Sequence, residues 1–447
     1  MRNHFLRNAC RTNAPRHSDA IVGEYPFALH SVCLNPGHAV TESAGIILLY
    51  CIATVVAIAS RRLRVPYTTS LLLAGIALGA MHVASLPHLT RDLLFEVFLP
   101  GLLFEAAYHL EVHELRENSW TISLMAIPGV AVAIGLTATL LYGGAILTGG
   151  HLTWQTAFLF GGVIAATDPV AVTALFRQLG APRRLHVLVE SESLLNDGTS
   201  IVFLTLMLAF FAGEETSAGS LAIDFVRIAV GGAVLGGIIG WGVSHIRTRV
   251  DDAAIEITLT TIAAYGSFIV AEQLHCSGVI ATVAAGVACG NAARHHPLTM
   301  GERAAVDSFW EWLAFALNSG VFLLLGAQLS LELLLANWLL ILLAALAALI
   351  ARAIVVGLAG SLISRTAERL PKPWLVIMTW GGLRGALSLV LALALPDTST
   401  GRDLIIVMTA GTVALSLVGQ AASMPALMRR LGIGRVVQAH EVAGDPA

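Results

Sequence analysis

The sequence is poor in charge. Of its 447 residues, Asp, Glu, Lys and Arg together make up 12%, whereas hydrophobic residues make up 56%. Soluble globular proteins carry about 25% charged residues. Since so little charge cannot cover a water-facing surface of this size, the composition predicts a protein that faces lipid over most of its area.

Lysine is nearly absent, and cysteine lacks any paired pattern. Lys372 is the single lysine, and it follows Pro371 rather than a glycine. The phosphate-binding loop of an ATP-driven pump needs a Gly-Lys step, so the sequence argues against a pump encoded by this chain alone. The five cysteines are odd in number and do not show metal-ligand spacing. We interpret them as isolated thiols on apolar faces.

Protease motifs are incomplete. An intramembrane aspartyl protease could use Asp168 and Asp197, but neither follows a Gly-x-Gly sequence. A zinc protease would need a second histidine three residues after the glutamate of His113-Glu114 or His440-Glu441, and neither pair has one. Both protease classes are therefore disfavoured.

Long apolar segments are what the sequence offers instead. A helix needs about 20 apolar residues to cross about 30 Å of hydrocarbon. We predict an all-α polytopic membrane protein with about thirteen such spans, preceded by a disordered extension at 1–43 and followed by a short tail at 431–447. The spans are 44–60, 66–82, 91–110, 120–147, 154–178, 186–212, 220–246, 253–273, 277–293, 306–328, 333–362, 373–395 and 403–428.

Arginines concentrate in alternate loops, and the intervening loops contain few basic residues. Cytoplasmic loops of membrane proteins carry the excess of Lys and Arg. This bias predicts a cytoplasmic C-terminus and an N-terminus outside. The basic loops hold Arg61, Arg62, Arg64, Arg116, Arg177, Arg183, Arg184, Arg247, Arg249, Arg294, Arg303, Arg365, Arg369 and Lys372, with Arg429, Arg430 and Arg435 after the last span.

The number of spans suggests an internal symmetry. If the seventh span is a linker, spans 1–6 and 8–13 form two sets of six, and an offset of seven crossings turns the second set upside down. Inverted repeats of this kind are typical of secondary transporters.

The fifth span contains a proline beside an acid, in Thr167-Asp168-Pro169. Pro169 lacks an N–H, and Asp168 is biased out of the helical region because it precedes proline. We expect the helix to open near Thr167 and to free carbonyl oxygens that only a hydrated cavity can satisfy. The alternative is an ordinary proline kink, with Asp168 hydrogen-bonded across helices.

The twelfth span, fifth of its own set, holds a second interruption in Gly381-Gly382-Leu383-Arg384-Gly385. Paired interruptions at corresponding positions point to a transport site. Where two unwound helices cross, their half-helix ends carry unpaired dipoles. Asp168 and Arg384 have the charges to compensate these ends.

The sixth span carries several polar side chains within one turn or two. Ser193 and Asp197 share one face, and Glu192 and Asn196 share another. Glu192 and Asp197 are about 140° apart at about 100° per residue, so they should not hold one ion side by side. We assign Asp197 and Ser193 to an ion. Arg352, alone in the eleventh span, is the expected partner of Glu192, and a scaffold role is favoured over direct ion binding.

Asp197 can alternate between two ligands. A carboxyl group inside a membrane is a candidate functional group, because burying it is costly. Such a group can hold a proton at one pH and a cation at another. Other polar positions have plainer interpretations. Glu105 could line an access funnel or support a bundle contact, and we favour the latter. We interpret Trp154, Trp310, Trp312, Trp338 and Trp374 as interfacial anchors.

These motifs together resemble a known family. Thr167-Asp168-Pro169, then Glu192-Ser193-Leu194-Leu195-Asn196-Asp197, then Gly381-Gly382-Leu383-Arg384-Gly385 are similar to the NhaP-type sodium/proton exchangers of the monovalent cation:proton antiporter-1 family. The resemblance covers roughly residues 44–430. It implies a thirteen-helix inverted repeat with two crossed, unwound helices. The core helices would be 120–212 and 333–428, the dimerisation helices 44–110 and 253–328, and the linker 220–246.

The resemblance also implies roles. Asp197 would bind Na⁺ or H⁺ with Ser193 and the Thr167 main-chain oxygen, completed by Glu192 or water. Asn196 matches the pattern of electroneutral exchangers. The implied protein is a homodimer in the bacterial inner membrane that exchanges Na⁺, or Li⁺ or K⁺ in its place, for H⁺, with no cofactor and no nucleic-acid partner. The competing hypothesis from another class is a cation channel, which would need no titrating carboxylate.

Overall fold

Helices account for the regular structure of the described residues. The computed structural model describes residues 36–63, 66–81, 90, 92–213, 217–247, 252–295 and 300–433, and no strand occurs within these ranges. The predictions for residues 1–35 and 434–447 lie outside the described residues. The first helix begins at Pro36, eight residues before the predicted start of the first span.

Nineteen α-helices follow one another through the described residues. They are α1 (Pro36–Leu63), α2 (Tyr67–Ala80), α3 (Leu99–Tyr108), α4 (Val112–Glu117), α5 (Ser119–Leu124), α6 (Val130–Leu147), α7 (Trp154–Ala165), α8 (Val170–Leu179), α9 (Arg183–Phe211), α10 (Ala218–Arg247), α11 (Ala253–Gln273), α12 (Gly278–His295), α13 (Met300–Gln328), α14 (Leu331–Ala336), α15 (Trp338–Ile363), α16 (Lys372–Trp380), α17 (Ala386–Leu393), α18 (Arg402–Leu415) and α19 (Ala422–Arg430).

Each of the thirteen predicted spans coincides with one helix or with helical segments in series. Eight are both long and apolar enough to cross a membrane, and three shorter apolar helices join them. The remaining two are the segment that ends in α3 and the interrupted pair α16–α17. The chain is thus a multi-pass membrane protein, as predicted. The interrupted pairs α7–α8 and α16–α17 are the fifth span and the twelfth span, which is fifth in its own set.

Within the described residues, three π-helical segments lie next to α-helices, near prolines. Leu93–Phe98 runs into α3 just before Pro100, Met125–Gly129 contains Pro128 between α5 and α6, and Ser416–Ala421 joins α18 to α19 shortly before Pro425. Because proline cannot donate to the carbonyl four residues earlier, the helix widens locally instead of ending.

The helices pack in two groups. The first joins α10 to α11 and α12, α12 to α3, and α13 to α1, α2 and α3. The second joins α6 to α7 and α15, α7 to α9, and α18 to α15 and α17. The long helix α9 contacts both groups, because it also packs on α3, α10 and α12. The boundary between the groups therefore runs along α9, which carries Asp197.

Glycines allow the closest helix contacts of the first group. A Cβ at Gly236 of α10 would overlap the main-chain oxygen of Ala281 in α12, and a Cβ at Gly290 of α12 would overlap that of Tyr108 in α3. A side chain at either position would push the helices apart.

The interfacial assignment of Trp310 is wrong. Its ring is fully buried, its centroid lies 4.6 Å from that of the tilted Phe104 ring, and its Nε1 donates to Thr260 Oγ1 at 3.1 Å. Trp154, Trp312 and Trp338 are exposed, in keeping with their interpretation. Trp310 is buried because α13 begins at Met300 and continues past it among other helices.

Candidate ion site at the crossing of two broken helices

The first broken helix opens where the sequence predicts. Helix α7 ends at Ala165, Ala166 is extended with φ −56° and ψ 140°, and α8 resumes after Pro169. Thr167 and Asp168 form the connection between the two halves. A simple proline kink is excluded, because the helical hydrogen-bond pattern is lost across Ala166–Pro169.

The second break lies against the first. Helix α16 ends at Trp380, and α17 begins after Gly385, which is extended with φ −128° and ψ −161°. The main-chain N–H of Asp168 donates to the carbonyl of Leu383 at 2.8 Å. A Cβ at Gly385 would overlap the Asp168 side chain, so a glycine is needed for the two chains to approach this closely.

The charges at the crossing match the helix ends that they face. Arg384 Nη1 donates to the carbonyls of Ala165 at 2.8 Å and Ala166 at 3.2 Å, at the C-terminal end of α7. Asp168 accepts from the N–H of Val170 at 2.9 Å, at the start of α8, and lies against Gly385 at the start of α17. A cation at a helix C-terminus and an anion at helix N-termini are both stabilised by the helix dipole.

Helix α9 presents a polar face to the first break. Asn196 Nδ2 donates to the carbonyl of Ala165 and to Thr167 Oγ1, both at 3.1 Å. The hydroxyls of Thr167 and Ser193 are 2.9 Å apart, and Ser200 donates to Asn196 Oδ1 at 3.2 Å. Asn196 thus satisfies a carbonyl that the break leaves open, and it holds Thr167 and Ser193 together.

One carboxylate oxygen of Asp197 stays outside this network. Asp197 is 9% exposed, and its Oδ1 has no hydrogen-bond partner within the described part of the chain. A buried carboxylate oxygen without a donor costs free energy unless it binds a proton or a cation. The geometry therefore suits a group that is always loaded with one or the other.

Glu192 is fully engaged elsewhere. Its two oxygens accept from Arg352 Nη1 at 2.6 Å and Nη2 at 2.7 Å, and Arg352 also donates to the carbonyl of Met378. Both side chains are buried. The pair that the sequence predicts is present, and it joins α9 to α15 and to the helix half that precedes the second break.

A cavity of about 110 Å³ connects Asp197 with the boundary between the two helix groups. Thr167, Asp168 and Asp197 line it on one side, together with α17, and Glu105 of α3 and Asn318 of α13 line it on the other. A cavity of this size with several polar groups can hold water. The walls belong to both groups of helices.

Sequence reasoning gave Glu105 a supporting role and passed over Asn318. Glu105 lies in the wall of this cavity, with His109 3.5 Å from its carboxylate. A carboxylate inside a predicted span was a usable signal for Glu105. Nothing in the local sequence separates Asn318 from other polar residues of α13.

Comparison with known proteins agrees with these features. The family model described as "Sodium/hydrogen exchanger, transmembrane" matches residues 47–430. The chain is 38% identical over 386 residues to the Na(+)/H(+) antiporter ApNhaP of Aphanothece halophytica, which covers 86% of this chain and 73% of that protein. It is 37% identical over 359 residues to the Na(+)/H(+) antiporter NhaP of Pseudomonas aeruginosa, which covers 79% of this chain and 84% of that protein.

A solved structure shows the same fold. The sodium proton antiporter MjNhaP1 from Methanocaldococcus jannaschii at pH 8 superposes with a TM-score of 0.73 at 20% identity, over 88% of this chain and 99% of that one. The family model spans both broken helices and α9, and the two sequence relatives extend over most of the chain. The chain therefore belongs to the sodium/hydrogen exchanger family.

Proposed function

We propose that this protein is a secondary antiporter that exchanges Na⁺ for H⁺ across the membrane, with both ions competing for Asp197. The relatives named above are Na(+)/H(+) antiporters. The observation that carries the assignment to Asp197 is its buried Oδ1, which has no donor in the described chain and lines a cavity beside an opened helix. A channel would not need such a group.

The site can offer oxygen ligands to a hard cation. Asp197 supplies the charge, and the Ser193 hydroxyl and the Thr167 main-chain oxygen supply neutral oxygens, with water from the cavity. Sodium favours oxygen ligands of this kind, as calcium and magnesium do. The Ser193 and Thr167 hydroxyls lie 2.9 Å apart, so the two residues of this set are direct neighbours.

Glu192 supports the site through its ion pair with Arg352. Both of its oxygens already accept from Arg352, so turning either oxygen toward the ion would weaken a buried ion pair. Breaking such a pair by loss of one partner costs about 3–5 kcal/mol. We therefore place Glu192 and Arg352 with Asp168, Asn196 and Arg384 among the residues that shape the site.

The charge balance favours a one-for-one, electroneutral exchange. Glu192 is neutralised by Arg352, and Asp168 is stabilised by the N-terminal ends of α8 and α17. Asp197 is then the carboxylate of the crossing that lacks a fixed counter-charge. One carboxylate that holds either H⁺ or Na⁺ carries the same charge in both loaded states.

The packing of the helices suggests how the site changes sides. We assign the helices within 120–212 and 333–428 to a moving core and those within 44–110 and 253–328 to a fixed scaffold that forms a homodimer, with 220–246 as linker. Both breaks and Asp197 lie in the core group, and the cavity lies along its boundary with the scaffold. Movement along this boundary would expose Asp197 to each side in turn.

The positions of the arginines support one orientation in the membrane. Arg183 pairs with Glu114, and Arg184 donates to the carbonyl of Glu368, so three basic loops meet at one end of the bundle. An end rich in arginine favours the cytoplasm. This supports a C-terminus inside and an N-terminus outside, in the inner membrane of a bacterium.

Asp197→Asn tests the proposal in proteoliposomes. An imposed Na⁺ gradient should drive proton movement with the wild-type protein and none above empty vesicles with the variant, whose melting temperature should be unchanged. The matched control is Asp224→Asn, at an exposed carboxylate of α10, which should exchange like wild type. Sodium-driven proton movement retained by Asp197→Asn would refute the assignment.

Two further measurements separate exchange from a channel. Because the ions compete, the apparent KM for Na⁺ should rise by about tenfold for each unit of falling pH over the range in which Asp197 takes up its proton. Replacing Na⁺ with Li⁺ or K⁺ in the same assay gives the selectivity. A membrane potential should leave the wild-type rate unchanged, whereas a potential-driven current without proton exchange would indicate a channel.

A further inference from the structure

A second cavity lies on the other side of the crossing from the ion site. It is a crevice of about 420 Å³ between α15, the second break and the π-helical segment Ser416–Ala421. Its mouth is formed by Leu342, Leu346 and Leu415, which are 41%, 45% and 46% exposed. Since apolar residues with this exposure on a spanning helix face lipid, the crevice opens to the hydrocarbon of the bilayer.

Two arginines line the crevice, and they differ in their partners. Arg352 uses Nη1, Nη2 and Nε for Glu192 and the Met378 carbonyl. Arg384 uses Nη1 for the end of α7. Its Nε and Nη2 make no hydrogen bond, and it forms no ion pair with a carboxylate, anywhere in the described part of the chain. Arg384 is 5% exposed, so it is a buried cation that faces the carbonyl end of α7 but no carboxylate of the described chain.

One wall of the crevice carries a row of polar side chains. Thr412, Ser416, Gln420 and Ser423 recur at helical spacing on α18, the π-helical segment and α19. The hydroxyl of Thr412 is buried without a partner within the described residues. The crevice thus combines an apolar mouth with a polar, positively charged floor.

We propose that this crevice binds the carboxylate of a single-chain fatty acid, with the hydrocarbon chain extending past Leu342 and Leu346 into the bilayer. The Nε–Nη2 edge of a guanidinium donates two parallel hydrogen bonds to a carboxylate. That edge is the part of Arg384 that the protein leaves unused. A carboxylate there adds a full negative charge to the partial one that the end of α7 already presents to Arg384.

The depth of the arginines separates a fatty acid from an acidic phospholipid. Arg384 lies in the break between α16 and α17, and Arg352 is near the middle of α15. Both are far from the helix ends where phosphate groups reside. A fatty acid can bring its small headgroup to this depth, whereas a phosphodiester with its glycerol cannot without leaving the interface. The proposal does not depend on which ion the protein carries.

The crevice can be closed without touching Arg384. A Cβ at Gly419 meets nothing within 4 Å, so Gly419→Leu places a side chain in the open crevice. Gly357 of α15 also has open space around its Cβ and is not part of the lining, so Gly357→Leu is the matched control. Both changes replace a glycine with a good helix former.

The experiment uses the full-length protein in phosphatidylcholine nanodiscs and a palmitate analogue with a diazirine on its chain. At alkaline pH we expect saturable photolabelling of peptides from α15 and α18, with palmitate competing at a concentration about tenfold lower than hexadecanol. Gly419→Leu should reduce the labelling by about tenfold, and Gly357→Leu should leave it unchanged. Melting temperatures of the two variants establish that both are folded.

Three results would overturn the proposal. Labelling that does not saturate, or that persists in Gly419→Leu, would show that the crevice is not the site. Equal competition by hexadecanol would show that the arginine edge does not recognise the carboxylate. Displacement of the label by phosphatidylglycerol in the nanodiscs, as effective as by palmitate, would assign the crevice to acidic phospholipids instead.

Discussion

Arg352 and Glu192 form a bidentate ion pair between α15 and α9, with Nη1–Oε1 and Nη2–Oε2 distances of 2.6 and 2.7 Å. The pair ties the helix of Asp197 to α15, and the additional bonds from Arg352 to the Met378 carbonyl tie both to the second broken helix. Three elements of the site are thus held by one guanidinium.

Arg352→Ala should destabilise the protein more than it changes ion preference. It leaves Glu192 as a buried, unpaired carboxylate and opens the Met378 carbonyl, at a cost of about 3–5 kcal/mol. Thermal unfolding in detergent measures the effect, with Arg227→Ala as control, because the pair of Arg227 with Asp224 is exposed and is worth at most about 1 kcal/mol. Unchanged stability together with altered Na⁺/Li⁺ preference would show that Glu192 is an ion ligand.

Glu105→Gln should weaken Na⁺ binding while leaving the maximal rate almost unchanged. Glu105 lines the cavity that leads to Asp197, and at alkaline pH, where its carboxyl is ionised, its negative charge raises the local cation concentration. We expect the KM for Na⁺ to rise by about threefold to tenfold. Glu332→Gln, at an exposed position of α14, is the control. An unchanged KM would restrict Glu105 to a supporting role.

Gly385→Ala should impair exchange severely. The added Cβ overlaps the Asp168 side chain, so the two breaks must separate and the Asp168–Leu383 hydrogen bond is strained. A loss of stability of about 1–3 kcal/mol is expected from such overpacking. Gly357→Ala, with open space around the new Cβ, should exchange like wild type. Normal exchange by both variants would contradict the close approach of the breaks.

Two adjacent glycines of α10 should respond in opposite directions to alanine. Gly236→Ala pushes a Cβ into the Ala281 carbonyl of α12 and should lower the stability by about 1–3 kcal/mol. Gly237→Ala meets nothing within 4 Å and should raise it by up to about 1 kcal/mol. Melting temperatures of the two variants give the comparison directly. Equal effects would mean that α10 does not pack on α12 at Gly236.

Local chemistry in the sequence predicts the breaks. Pro169 removes a hydrogen-bond donor and biases Asp168 away from helical backbone angles. The glycines around Arg384 lower the free-energy cost of a non-helical backbone, so both breaks follow from local residue types. The helical angle between Glu192 and Asp197 likewise separates the residue that pairs with Arg352 from the one that remains free. The lengths of the apolar segments likewise predict the number of membrane crossings.

Contacts between distant helices are what the sequence could not predict. Glu105 lies in the cavity because α3 packs against α9, and nothing within α3 determines which helix it meets. Trp310 looked interfacial near the end of an apolar run, yet it is enclosed by Phe104 and Thr260 from two other helices. Glu256 is buried for a similar reason, since Arg247 of α10 pairs with it.

The two breaks are bonded to each other, through the Asp168 N–H and the Leu383 carbonyl, within one group of helices. In the proposed cycle the binding residues therefore travel together with their whole bundle, and the outer leucines of α15, such as Leu346 and Leu358, slide through acyl chains as they go. Turnover then depends on lipid order and on the thickness of the bilayer as well as on the ion gradients. Liposomes made from lipids of graded chain length would give different maximal rates for the same protein.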